Sequence, residues 1–119
     1  MITGAFLAEA AWVADNKLNV SGGVLSRFAI GPDRLARFVL VVLTESEMCN
    51  SDHRVDLEIR PPHDEEPQHL QFAVPESAIG QFPGFAYFEV EINMPIDGRW
   101  VFVVTGGVGA TSIPLSVIS

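Results

Sequence analysis

The chain has few cysteines, no long apolar run and few basic residues, which are the features that form disulfides, membrane spans and nucleic-acid-binding surfaces. Cys49 is the only cysteine in 119 residues, so no disulfide can form within the chain, and nothing indicates an oxidising compartment. The longest apolar runs have about six residues, far fewer than the ~18 of a membrane-spanning helix. We therefore expect neither a disulfide scaffold nor a membrane protein.

Basic residues are also scarce. The chain has seven basic and fifteen acidic residues, which gives a formal net charge of -8 at pH 7. A charge of this sign repels phosphate backbones, so we expect no nucleic-acid partner. The first residues, Met1 to Glu9, contain no basic leader, and Glu9 interrupts any apolar signal core, which favours a cytoplasmic location.

No residue pattern in the chain is typical of catalysis. The glycine-rich run 106–109 lacks the Lys-Ser/Thr pair of a phosphate loop and is better explained as a tight turn. His63 and His69 flank acidic residues, but in a proline-rich loop that does not fix ligand directions. Glu89 and Glu91 share one side of a strand, and we expect them to be solvated and paired across strands with Arg54 or Arg60. The sequence predicts no enzyme activity, no catalytic residue, no cofactor and no metal site.

Strand signals run along the whole chain. Short runs of apolar and β-branched residues between turn residues predict eight strands, at 5–13, 17–25, 35–44, 53–60, 69–74, 86–94, 99–105 and 110–117. A polar turn at 14–16 joins the first two strands, Gly22 and Gly23 predict a bend, and the segment 75–84 has room for one helical turn. The pattern favours a single all-β domain over 1–119, an antiparallel, immunoglobulin-like sandwich of two sheets.

Strict alternation of apolar and polar residues identifies the core. Alternate positions of three predicted strands carry large apolar side chains, which we expect in the interior: Val55, Leu57, Ile59, Phe88, Val90, Ile92, Trp100 and Phe102. At this length a chain buries roughly two thirds of its unfolded surface, so the core needs no metal or disulfide.

Two of the predicted strands carry apolar residues on both faces, in the runs 38–43 and 100–104. Such strands are covered on both sides, whereas strands covered on one side alternate. The second face is covered either by another segment of this chain or by another chain. The sequence therefore predicts an interaction surface among these two runs, made of Phe38, Val39, Leu40, Val41, Val42, Leu43, Trp100, Val101 and Val103.

The opening hairpin resembles a known family. The runs 5–11 (AFLAEAA) and 17–23 (KLNVSGG) are similar to the amino-terminal signature of a bacterial, notably actinobacterial, family called domain of unknown function 6941. The His-x-Val-x-Leu-x-Ile strand at 53–59 and the Pro-x-x-Gly-Arg-Trp turn at 95–100 resemble the same family. The resemblance implies a small β-sandwich and supplies no catalytic residues.

Two functions remain open at this point. The first is a non-enzymatic interaction module, either an accessory subunit of a larger bacterial assembly or a self-associating domain, acting through the apolar sheet face. The alternative is a module that binds a small apolar or carbohydrate ligand, with Trp12, Trp100, Phe85 or Tyr87 in a groove. A flat apolar patch would favour the first, and a pocket with converging polar groups the second.

Overall fold

The computed structural model describes residues 2–44, 54–63, 65–73, 84–106 and 110–119. Within these residues the chain forms strands and no helix, which confirms the predicted all-β class. The described residues therefore contain no helix that could cross a membrane. The strands are β1 (Ile2–Ala8), β2 (Ala10–Ala14), β3 (Lys17–Ser21), β4 (Arg27–Ala29), β5 (Leu35–Thr44), β6 (Arg54–Arg60), β7 (Gln68–Ala73), β8 (Gly84–Asn93), β9 (Gly98–Thr105) and β10 (Ala110–Ile118). The predicted helical turn at 76–79, Cys49 and most of the glycine-rich run lie outside the described residues.

The strands form two sheets and a separate hairpin. One sheet has three strands in the order β1-β5-β8, and the other has five in the order β4-β10-β9-β6-β7 and curls into a half-barrel. The strands β2 and β3 pair only with each other. The prediction of purely antiparallel pairing is wrong at one place, because β4 runs parallel to β10.

The prediction of eight strands is also corrected, because the first run divides into β1 and β2, and a further strand, β4, follows the second run. The run 5–13 breaks at Glu9, whose backbone N–H donates to the Ser21 carbonyl at 3.0 Å. The run 17–25 ends at Ser21 and is followed by Gly22, with a φ of 68°, which confirms the bend predicted at the two glycines. Beyond it the chain crosses to the other sheet and adds β4, which the sequence pattern did not predict.

The core lies between the two sheets. All eight residues predicted for the interior are buried there, at most 9 % exposed. Rings from opposite sheets meet: Phe38 packs edge-on against Phe102 at a centroid distance of 5.5 Å, and Phe72 stacks on Phe88 at 4.8 Å. The alternation that fixes these faces also fixes which side chains point away from the core.

Candidate interaction surface

The residues predicted to form an interaction surface do not lie on one surface. Four of them belong to the core and are at most 3 % exposed, namely Phe38, Leu40, Val42 and Trp100. The intervening residues of β5 point out of the three-stranded sheet, and those of β9 point out of the five-stranded sheet. The two doubly apolar runs thus lie in different sheets, and their outward residues are on opposite sides of the molecule.

The outward residues of β9 have polar surroundings. Val101 and Val103 are half-buried, and their cross-strand neighbours include Arg60 and Glu58 on β6. Ser112 on β10 lies beside Val103. This side of the molecule offers no continuous apolar patch around the two valines.

The outward side of the three-stranded sheet is apolar at one end. The register aligns Phe6, Val41 and Tyr87 in one cross-strand row. The next row contains Leu43 and Phe85. We call these five residues the outer aromatic face. Val41 is completely buried between its two aromatic neighbours, whereas Leu43 and Tyr87 are each 37 % exposed.

The chain itself covers the neighbouring part of this side. A Cβ placed at Gly23 would lie 3.3 Å from Cε2 of Phe6 and 3.6 Å from Cβ of Ala8, so the backbone of Gly23 packs directly on the sheet. Ala8 is fully buried, and Val39, its cross-strand partner, is only 7 % exposed. An intrachain segment therefore explains the apolar character of Val39, whereas Tyr87 remains 37 % exposed.

The hairpin β2–β3 adds exposed apolar surface that the sequence did not reveal. Its two-residue turn, Asp15-Asn16, has positive φ values of 53° and 60°, as a tight hairpin turn requires. One face of the ribbon is apolar and carries Val13, 50 % exposed, and Val20, 38 % exposed. Trp12, on the other face of the ribbon, is 46 % exposed. The available signal was the pair of breaks at Glu9 and Gly22, which separate β2 and β3 from the neighbouring strands of the chain.

Acidic groups lie at the other end of the same sheet side. Glu91 forms an exposed ion pair with Arg37 at 3.4 Å. Together with Glu9 and Glu89 they line a shallow depression of about 200 Å³. The surroundings of the outer aromatic face therefore carry three carboxylates and one guanidinium.

The glutamates were expected to pair with Arg54 or Arg60, and that prediction is wrong. Both arginines lie on β6 in the other sheet, where Arg54 bonds to Gln71 and Arg60 bonds to Glu58. The predicted strands were correct here, but the sequence does not show which strands are neighbours.

The described residues contain no constellation typical of catalysis. No group of three or more His, Cys, Asp or Glu side chains in that part of the chain could hold a metal ion. A hydrogen bond from Ser119 and the guanidinium of Arg34, at 2.9 Å, hold the pKa of Asp97 below its usual range. This carboxylate ties the end of the chain to the turn before β9, which is a structural role.

Comparison of this chain with protein-family models, with curated proteins and with solved structures finds no match. The physical character of the surfaces is therefore the basis for a functional conclusion.

Proposed function

We propose that this domain is a non-enzymatic protein-interaction module, an accessory subunit of a larger bacterial assembly, which binds its partner through the outer aromatic face. The observation that carries the proposal is the exposure of Tyr87 and Leu43 beside two half-buried phenylalanines, Phe6 and Phe85. Aromatic side chains are enriched at the energetic centres of interfaces, and contiguous apolar patches are uncommon on monomeric proteins. The proposal includes an immunoglobulin-like sandwich as the scaffold and membership of the actinobacterial family that the opening hairpin resembles.

The charges argue for a different protein as the partner rather than a second copy. Two copies would each bring a net charge of -8 to the interface, with three carboxylates and one guanidinium beside each patch. Like charges brought together across an interface oppose association. A partner with an apolar centre and a basic rim complements this surface.

The apolar burial supplies part of the binding energy of a complex. Burial of a patch of a few hundred Å² contributes several kcal/mol at ~25 cal/mol per Å², before the entropy of association is subtracted. Neighbouring apolar surface on the hairpin can extend the contact area. This magnitude makes single side chains at the centre of the face measurable by mutation.

A small-ligand site is less well supported. Of the four aromatic residues considered for a groove, Trp100 lies in the core and Trp12 lies on the separate hairpin. Only Phe85 and Tyr87 share a surface, on neighbouring rows of the three-stranded sheet.

The test is a comparison of immobilised variants. Tyr87→Glu places an acid at the most exposed aromatic side chain of the face, and Ile118→Glu, at an apolar residue of similar exposure (43 %) on β10 in the other sheet, is the matched control. We expect one polypeptide from a lysate of the source bacterium to be retained by the wild type and by Ile118→Glu, and lost with Tyr87→Glu. Retention by all three folded proteins would overturn the proposed face.

Sedimentation of the purified protein tests the choice of partner. We expect a monomer, because of the charge argument above. A wild-type dimer that Tyr87→Glu converts to a monomer would show that the partner is a second copy.

A further inference from the structure

Two arginines differ from the rest of the basic residues. Four of the six arginines contact an acidic or amide side chain: Arg34 with Asp97, Arg37 with Glu91, Arg54 with Gln71 and Arg60 with Glu58. The side chains of Arg27 and Arg99 have no hydrogen-bond or ion-pair partner among the residues that the structure describes. In a chain with fifteen acidic residues, two arginines without an acidic partner need an explanation.

The strand register places these two arginines on either side of one serine. Ser116 on β10 pairs with Arg27 on β4, and on its other side with Arg99 on β9. Paired residues point to the same side of a sheet, and adjacent strands lie ≈ 4.8 Å apart, so the two arginine Cα atoms are about 10 Å apart with the serine hydroxyl between them. The neighbours of this row along the strands, Leu115 and Trp100, point into the core, so the row itself faces solvent.

The row forms one wall of an open depression. Arg27, Arg99 and Ser116 line it together with Ser26 and Pro114, and its volume is about 580 Å³. The register places the two arginines on the strands that flank β10. None of the described residues that line the depression carries a side-chain carboxylate.

The chemistry of this row matches an oxyanion. Each guanidinium is a planar fork of N–H donors that binds carboxylate or phosphate oxygens in pairs, and the serine hydroxyl adds one donor. One fork satisfies a carboxylate, whereas two forks and a hydroxyl match the three terminal oxygens and nearly two charges of a phosphate monoester. A polyanion such as nucleic acid is excluded by the acidity of the remaining surface.

We propose that Arg27, Ser116 and Arg99 form a binding site for a phosphate monoester. The site lies on the outward side of the five-stranded sheet, away from the outer aromatic face, so it does not depend on the proposed interaction function. Its ligand is either a small phosphorylated molecule or a phosphorylated side chain of a protein, and the two sources share the chemistry that the row recognises.

Calorimetric titration with phenyl phosphate and with a short phosphoserine peptide tests the site. We expect the wild type to bind at least one of them with a Kd of about 1 mM or tighter. Arg99→Gln and Arg27→Gln should each weaken binding about tenfold, because each removes one charged fork. Arg37→Gln, an exposed arginine of the other sheet, is the control and should bind like the wild type.

The titrations distinguish the two sources of the ligand and also test whether the site exists. Tighter binding of phenyl phosphate assigns the site to a small molecule, and tighter binding of the peptide assigns it to a phosphorylated protein. Absence of saturable binding by the folded wild type, or equal affinity of Arg99→Gln and Arg37→Gln, would overturn the site. Circular dichroism of each variant shows that it is folded before the titration.

Discussion

The two tryptophans of this chain have opposite environments, and their exchange for phenylalanine tests the fold directly. Trp100 is 1 % exposed between the sheets, and its indole Nε1–H donates to the Ile96 carbonyl at 3.1 Å. Trp12 is 46 % exposed on the hairpin. Trp100→Phe should destabilise the domain strongly, whereas Trp12→Phe should be almost neutral.

The expected loss for Trp100→Phe has two parts. Removal of the indole N–H leaves the carbonyl of Ile96 without this donor, which costs about 1 kcal/mol at a partly buried site. The smaller ring buries less apolar surface and leaves a void, and together these effects cost about 2 kcal/mol of unfolding free energy. The sum of about 3 kcal/mol lowers the melting temperature by roughly 12 °C in a domain of this size. An exposed substitution such as Trp12→Phe stays within about 0.5 kcal/mol.

Urea denaturation followed by circular dichroism gives both unfolding free energies. Each variant also retains a single tryptophan as a fluorescent probe. Trp100→Phe should emit at long wavelength from the wet indole of Trp12, and Trp12→Phe at short wavelength from the buried indole. Equal destabilisation by the two substitutions, or blue emission from Trp12, would refute the placement of the hairpin outside the core.

Two further predictions concern the turn before β9. Gly98 has a φ of 137°, and an added Cβ would lie 2.8 Å from Cγ of Pro62. Gly98→Ala should therefore lower the free energy of unfolding, measured by urea denaturation, by at least about 1 kcal/mol. An unchanged urea midpoint would contradict this prediction. The hydrogen bond from Ser119 and the ion pair with Arg34 lower the pKa of Asp97 from 3.8, so its contribution is present above that value and is lost as the pH falls through the lowered pKa. Asp97→Asn should therefore lose less stability than the wild type between pH 7 and about pH 2, and equal losses would show that this carboxylate does not contribute.

Much of the fold follows from local sequence patterns. Alternation at Val55, Leu57 and Ile59 fixes one face of β6 as core, because side chains in a strand alternate with a period of two. The two strands with apolar residues on both faces, β5 and β9, lie in the middle of their sheets. Short-range periodicity is sufficient to identify the core face of β6.

The candidate surfaces required information that a local pattern does not contain. Val39 and Val41 point outward but are buried, at 7 % and 0 % exposure, so a charge introduced there would disturb folding as well as binding. The cover of Val39 depends on where the chain crosses after Gly22. The row of Arg27, Ser116 and Arg99 depends on a parallel pairing between segments far apart in sequence.

The exposure of Trp12 also could not be predicted from local sequence. An apolar strand residue has the same local sequence whether its strand lies in a sheet or in a separate ribbon. Its exposure follows from the breaks at Glu9 and Gly22, which place β2 and β3 outside both sheets. Sequence periodicity assigns a residue to a face of its strand, but tertiary pairing determines what covers that face.

The proposed function depends on the binding of a partner protein to the outer aromatic face. It is tested by the dissociation constant between this domain and the polypeptide that the wild type retains, compared for Tyr87→Glu and Ile118→Glu. Loss of an aromatic residue that anchors an interface costs at least about 2 kcal/mol, so Tyr87→Glu should weaken binding by roughly thirtyfold or more while Ile118→Glu stays near the wild-type value. A folded Tyr87→Glu variant that binds as tightly as the wild type would show that the partner does not bind through this face.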